Sequence, residues 1–152
     1  MEARLEREML DPAVELSKFL ASLDGDGAVV SFVGVARPSG RDGTEVARLF
    51  LDHYPGMTER SLIEIAGAAV QRFERTSAKV VHRCGFVQAG EPIVFAAAAA
   101  PHRRQAFEAA EYLMDRLKIE AAFWKREDGA DGSAWIEPTE QDRADLARWS
   151  ER

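Results

Sequence analysis

Two lysines in the stretch Tyr112 to Glu127, YLMDRLKIEAAFWKRE, carry the strongest chemical signal in this chain. Lys118 and Lys125 stand among apolar and aromatic residues on either side of an expected helix-to-strand junction. At about 100° per residue, Phe107, Ala110, Met114, Leu117 and Ala121 share one helical stripe, and Lys118 falls on its edge. Its stem can lie along the core while the amine emerges into a cleft. Partial loss of water there lowers an amine's pKa and makes it usable as a nucleophile or acid/base group. For Lys118 alone, ordinary snorkelling at a helix edge is the competing explanation. After Glu120 the period changes to two, so that Phe123, Lys125 and Glu127 share one face of a strand while Trp124 and Arg126 share the other.

Arg37, His102 and Arg103 complete the candidate set. Four of these five residues are fixed positive charges, which suits an anionic small molecule because guanidinium and ammonium groups make charge-assisted bonds to phosphate oxygens. His102 and Arg103 begin a helix, where free backbone N–H groups and the helix dipole also favour an anion. Arg126 and Glu127 are placed in the same pocket, Glu127 as an orienter of Lys125. The chain has no phosphate loop, no dinucleotide fingerprint and no HExxH, and His53, His82 and His102 lack a metal-ligating spacing, so no metal site is expected. Cys84 reads as a small core residue in mid-strand, and His82 as structural. Trp124, Trp135 and Trp149 read as core or interface anchors.

The elements that must position these groups follow from periodicity and punctuation. Ala3 to Met9 is an edge strand, and Asp11-Pro12 opens a helix with Val14, Leu16, Phe19, Leu20 and Leu23 on its apolar side. Ala28 to Arg37 is rich in β-branched residues and apolar on both faces, which predicts a central strand. The polar PSGRDGT that follows is expected to be a loop, mobile until something binds. Glu45 to Tyr54 is a strand with a bulge, Pro55-Gly56 turns the chain, and Thr58 caps the next helix. Ala78 to Val87 and Pro92 to Ala100 are two strands joined through residues 88–91. The alanine run Ala96 to Ala100 is assigned to strand because Pro101 and a helix follow it. The Lys125 strand turns at Gly129 to Gly132 into Ser133 to Glu137, and Pro138 begins a charged tail, helical to Trp149. Residues 1–152 are read as a single α+β domain with a mostly antiparallel sheet.

Bulk composition narrows the function. A chain of 152 residues, 46% hydrophobic and 30% charged, buries a real core. Its net charge of -6 argues against nucleic-acid binding. One cysteine excludes an internal disulfide and suits a reducing cytoplasm. The amino terminus does not read as a secretory signal, and no stretch approaches a membrane span.

FWKRE at Phe123 to Glu127, FVGVAR at Phe32 to Arg37, LDHYPGMTE at Leu51 to Glu59 and PHRRQAFEA at Pro101 to Ala109 together resemble the large, catalytic subunit of molybdopterin synthase. The blocks keep the family's order over most of the chain, which departs from its pattern in the loop after Arg37, at Cys84 and at Phe86. The resemblance implies an α/β-hammerhead fold and a homodimer within a heterotetramer. It also implies a small ubiquitin-like subunit whose C-terminal Gly-Gly thiocarboxylate supplies sulfur. Cyclic pyranopterin monophosphate is then the substrate, converted to the dithiolene molybdopterin, with no permanently bound cofactor. That agrees with the absence of a cysteine from the candidate site and with an ending, Trp149-Ser150-Glu151-Arg152, that is no Gly-Gly donor. By the same resemblance Lys118 positions or activates the acyl end and the pterin, and Lys125 transfers protons or stabilises charge. Arg37 binds substrate, and His102-Arg103 come as an anion-binding pair from the neighbouring protomer. The alternative is a non-catalytic module that binds a Gly-Gly tail or a phosphorylated metabolite. A stand-alone acyl- or phosphate-transfer enzyme is disfavoured by the missing nucleophile and phosphate loop.

Overall fold

The structure, a computed structural model, describes residues 1–151. The chain runs β1 (Glu2–Glu6), α1 (Pro12–Ala21), β2 (Ala28–Val35), β3 (Arg48–His53), α2 (Met57–Arg72), β4 (Ser77–Arg83) and β5 (Gly85–Gln88). It continues through β6 (Pro92–Ala100), α3 (Arg103–Glu120), β7 (Phe123–Gly129), β8 (Gly132–Ile136) and α4 (Glu140–Ala147) to a 3-10 turn at Arg148–Glu151. One sheet has the order β1-β4-β6-β2 and the other β5-β3-β7-β8. All pairings are antiparallel except β1 with β4. The α+β class with mostly antiparallel sheets is therefore as the sequence predicts.

The alanines of β6 explain the first sheet. Ala96 and Ala98 pack with Leu62, Ile65 and Leu113 of α2 and α3, while Ala97 and Ala99 pack with Phe19 of α1. Alternate residues of a strand face opposite sides, and methyl-sized side chains let helices approach both. Coverage on both faces also accounts for β2, which is an edge strand and not the central one expected. Val29 packs toward α1 and Val30 toward α2 and α3, so apolarity on both faces reports helices above and below, not strands on either side. Beyond them Phe32, Val33 and Val35 are exposed.

Other departures have local causes. The bulge lies in β2, between Gly34 and Val35, and β3 pairs without a break from Arg48 onward. Thr58 is not the α2 cap. The helix starts at Met57 behind Gly56, at φ 85°, and the buried Thr58 hydroxyl donates to the Ala122 carbonyl at 2.7 Å and accepts the Tyr54 N–H at 2.9 Å. That bond ties the start of α2 to the chain leading into β7. The expected strand over Ala78 to Val87 is broken at Cys84, because Gly85 adopts φ 83° and carries the chain into the second sheet. Cys84 is buried at that break, not in mid-strand. In α3 the buried line is Ala106, Ala109, Leu113 and Leu117, and Phe107 is exposed. The tail is helical as expected, and buried Trp149 anchors it through an indole N–H donated to Asp115 at 2.7 Å.

α1 turns Glu15 inward where an apolar side was expected. The residue is 5% exposed, and its carboxylate meets the Lys79 ammonium at 2.7 Å and the Arg4 guanidinium. The Arg4 hydrogen bond, opposed by burial and aided by Lys79, lowers the Glu15 pKa from 4.5 to about 2. A folded pKa below the unfolded one means that this stabilisation is complete above the unfolded value and is lost as pH falls through about 2. Glu15→Ala leaves Lys79 buried with only the exposed Glu2 as a carboxylate partner. It is expected to cost about 3 kcal/mol, read as a lower urea midpoint at pH 7 with an unchanged slope.

Candidate active site

Lys118 occupies the last turn of α3, directly after the buried Leu117. Its neighbour in space comes from β7, where the alternation turns Phe123 and Lys125 toward the first sheet and Trp124 toward solvent. Lys125 is opposite Leu51 of β3 and Ile136 of β8. Both lysines line a cleft of about 420 Å³ with Arg37, Met114, His82 and the exposed end of β2. The same two lysines and Leu117 also border a smaller cavity of about 150 Å³, with Arg41, Ile136 and Asp142 on its far side. They thus form a partition between two spaces.

The electrostatics of that partition favour chemistry. Burial, with the nearby Lys118 charge, lowers the Lys125 pKa from 10.5 to about 8; Asp142 opposes the shift and Arg41 adds to it. About a tenth of Lys125 is therefore free amine at pH 7, against well under a thousandth for an ordinary lysine. His82, beneath it, has its pKa lowered to about 3 by burial and by the charges of Lys125 and Lys118, so its imidazole is neutral.

The structure brings together Arg37, Lys118 and Lys125 and leaves the other candidates elsewhere. Arg126 points to the opposite face of β7, where it makes two bonds to Asp128, at 2.6 and 3.0 Å, and stacks over Phe50 and Trp135. It does not line the lysine cleft. Glu127 shares the Lys125 face but is two residues farther along, roughly 7 Å at strand spacing. It lines a separate cavity with Gly40, Arg41 and Asp131, and no ion pair joins it to Lys125 among the described residues, so it does not orient that lysine here. His102 and Arg103 lie at the other end of α3, about 22 Å from Lys118 at 1.5 Å rise per residue, and line a cavity of their own with Arg104 and Phe107. No small ligand spans that distance within one chain.

Arg41, Asp142 and His82 were not among the sequence candidates. Arg41 belongs to the Gly-rich loop read as mobile. The loop closes on itself through Gly40 N–H to the Thr44 carbonyl at 2.8 Å, and Arg41 donates to the Glu137 carbonyl at 2.5 Å. Gly129 lets it come near, since a Cβ there would stand 2.2 Å from the Glu45 oxygen. Asp142 sits in the first turn of α4, bonded by the Thr139 N–H at 2.8 Å. Only the polar character of both segments was visible beforehand. His82 reaches the site because β4 and β7 belong to different sheets that face each other, a relation no local spacing encodes.

Residues 5–120 match the family described as MoaE protein, a span that includes Arg37, His102, Arg103 and Lys118. The molybdopterin synthase catalytic subunit of Pseudomonas aeruginosa is 46% identical over 151 residues, 99% of this chain and 100% of that protein. That of Caulobacter vibrioides is 49% identical over 141 residues, 93% of this chain and 92% of that one. Among solved structures, a MoaE protein from Burkholderia ambifaria superposes with a TM-score of 0.82 at 39% identity over 99% of both chains. Molybdopterin synthase from Staphylococcus aureus superposes with 0.79 at 30% identity over 88% of this chain and 96% of that one. With both lysines inside the stretch shared with full-length relatives, and the fold shared with solved ones, this chain belongs to the MoaE family.

Proposed function

We propose that this chain is the catalytic subunit of a molybdopterin synthase and that its lysine partition is where sulfur reaches the pterin. The thiocarboxylate of a small sulfur-carrier subunit is the donor, and cyclic pyranopterin monophosphate is the acceptor. The observation that carries this reading is Lys125, an amine with a pKa near 8, held beside Lys118 between two cavities. One space admits an extended tail and the other a heterocycle, so the reacting atoms meet at the amines. Arg37, on the larger cleft, supplies a fixed charge for the phosphate. A relative from Helicobacter pylori, 21% identical, was solved as a complex of subunits 1 and 2 of molybdopterin-converting factor; we infer the corresponding two-subunit assembly here, built on a homodimer and working in the cytoplasm. A mere tail-binding module has no use for an amine tuned this far below its ordinary range.

The test is a single turnover with preformed thiocarboxylate partner and the cyclic pterin, following dithiolene product. Cys84→Ser is expected to retain nearly full turnover, because the sulfur resides on the partner and Cys84 is buried at the β4–β5 break. Lost turnover in a folded, assembled Cys84→Ser protein would overturn the assignment of the sulfur source. Absence of product from the wild-type chain would overturn the function itself.

A further inference from the structure

His82 is 4% exposed yet lines the lysine cleft. Its ring stacks on Phe123, with centroids 4.1 Å apart and planes at 23°. Its Nδ1 lies 2.7 Å from the Arg83 carbonyl oxygen. A carbonyl oxygen only accepts, so Nδ1 carries the proton, and a neutral imidazole then holds its lone pair on Nε2. Nε2 has no hydrogen-bonding partner among the described residues. The other polar side chains on this cleft, Arg37, Lys118 and Lys125, are donors in their charged forms. The cleft is thus built from cationic donors, apolar walls and one fixed nitrogen acceptor that no described residue occupies.

We propose that Nε2 of His82 accepts an N–H of the substrate heterocycle and thereby selects a ring that carries N–H donors over other phosphorylated compounds of similar size. This rests on the functional reading above and goes beyond it, since phosphate recognition by Arg37 and the lysines cannot tell one phosphate ester from another. A pterin offers ring and exocyclic N–H groups, and the stack on Phe123 holds the imidazole in one orientation. Burial and the two lysine charges keep His82 unprotonated, so the acceptor persists throughout the physiological range. A site built to pair a substrate N–H discriminates strongly against analogues without it, because its own polar group is then left unpaired.

The experiment compares His82→Phe, which keeps an aromatic ring on Phe123 without an acceptor, with His82→Gln, which returns an acceptor near the position of Nε2. Both remove the imidazole bond to Arg83, so their difference isolates Nε2. Binding of the cyclic pterin and of inorganic phosphate is titrated for each, alongside single-turnover rates at saturating pterin. His82→Phe is expected to weaken pterin binding about tenfold, the scale of one neutral hydrogen bond. Phosphate binding and the saturated rate should hold, and His82→Gln should recover most of the pterin affinity. Equal pterin affinity in wild type and His82→Phe overturns the inference, as does parallel loss of phosphate and pterin binding or a Gln variant no better than Phe. His82→Leu replaces the Phe variant in the same comparison where Phe does not fold. Failure of the wild-type chain to bind the pterin would instead reject the functional reading, so the two failures are distinct.

Discussion

Lys125→Arg is expected to fold, bind the small subunit and bind the pterin, yet to lose at least about 100-fold in single-turnover rate, the lower range for removing a proton-transferring group. Arginine preserves the positive charge but does not give up its proton near neutrality, and its planar fork does not occupy the space of an ammonium. The distinction is sharp at this position because Lys125, unlike an ordinary surface lysine, has its pKa lowered to about 8 by burial and by Lys118. Below that pH it is mostly ammonium and above it mostly amine. A step that uses the amine therefore accelerates as pH rises through about 8 and levels off beyond it, and this limb is absent in Lys125→Arg. Rates at saturating pterin and preformed thiocarboxylate partner, measured from pH 6 to 10, decide the matter. A near-normal arginine variant would reduce Lys125 to an electrostatic anchor, and a near-normal Lys125→Ala would remove it from the site.

The strand alternation that separates Lys125 from Arg126 was legible from five residues, FWKRE, because a strand's period of two divides its faces without help from the rest of the fold. Lys118 was equally legible as a helix-edge residue following a core leucine. The departures have separate causes, each lying outside the local pattern. Apolarity at β2 records that a side chain is covered and is silent about whether a strand or a helix covers it, so an edge strand between helices passed for a central one. The break at Cys84 depended on a positive φ at Gly85, and a β-rich run through a glycine reads as continuous unless the second sheet is known. Arg126 and Glu127 were assigned to the pocket by adjacency in sequence, whereas Arg126 is committed to Asp128 on the far face. His82 and Asp142 meet the lysines only through the packing of one sheet against the other and of the tail helix against α3.

In the proposed homodimer, mixing Arg103→Ala and Lys118→Ala chains, each inactive alone, is expected to restore activity. Arg103 and Lys118 belong to one helix, so a site that used both from the same chain would have to extend along about 22 Å of it. The cavities confirm that they do not share a pocket within one chain. A second chain removes the conflict. The exposed Phe32, Val33 and Val35 form an uncovered apolar rim on the lysine cleft, where another protomer can seat and bring its His102-Arg103 helix start, with its free N–H groups, toward the substrate phosphate. In a mixed dimer with twofold symmetry, one site draws Lys118 and Arg103 from the two chains that retain them, and the other carries both defects. An equal mixture with random exchange should therefore recover about a quarter of wild-type specific activity, because half of the dimers are mixed and each has one intact site. Activity measured before and after subunit exchange, with chain composition checked by native mass spectrometry, provides the test. No recovery in verified mixed dimers would mean that each chain serves its own site, and Arg103 would then lose its place in substrate binding.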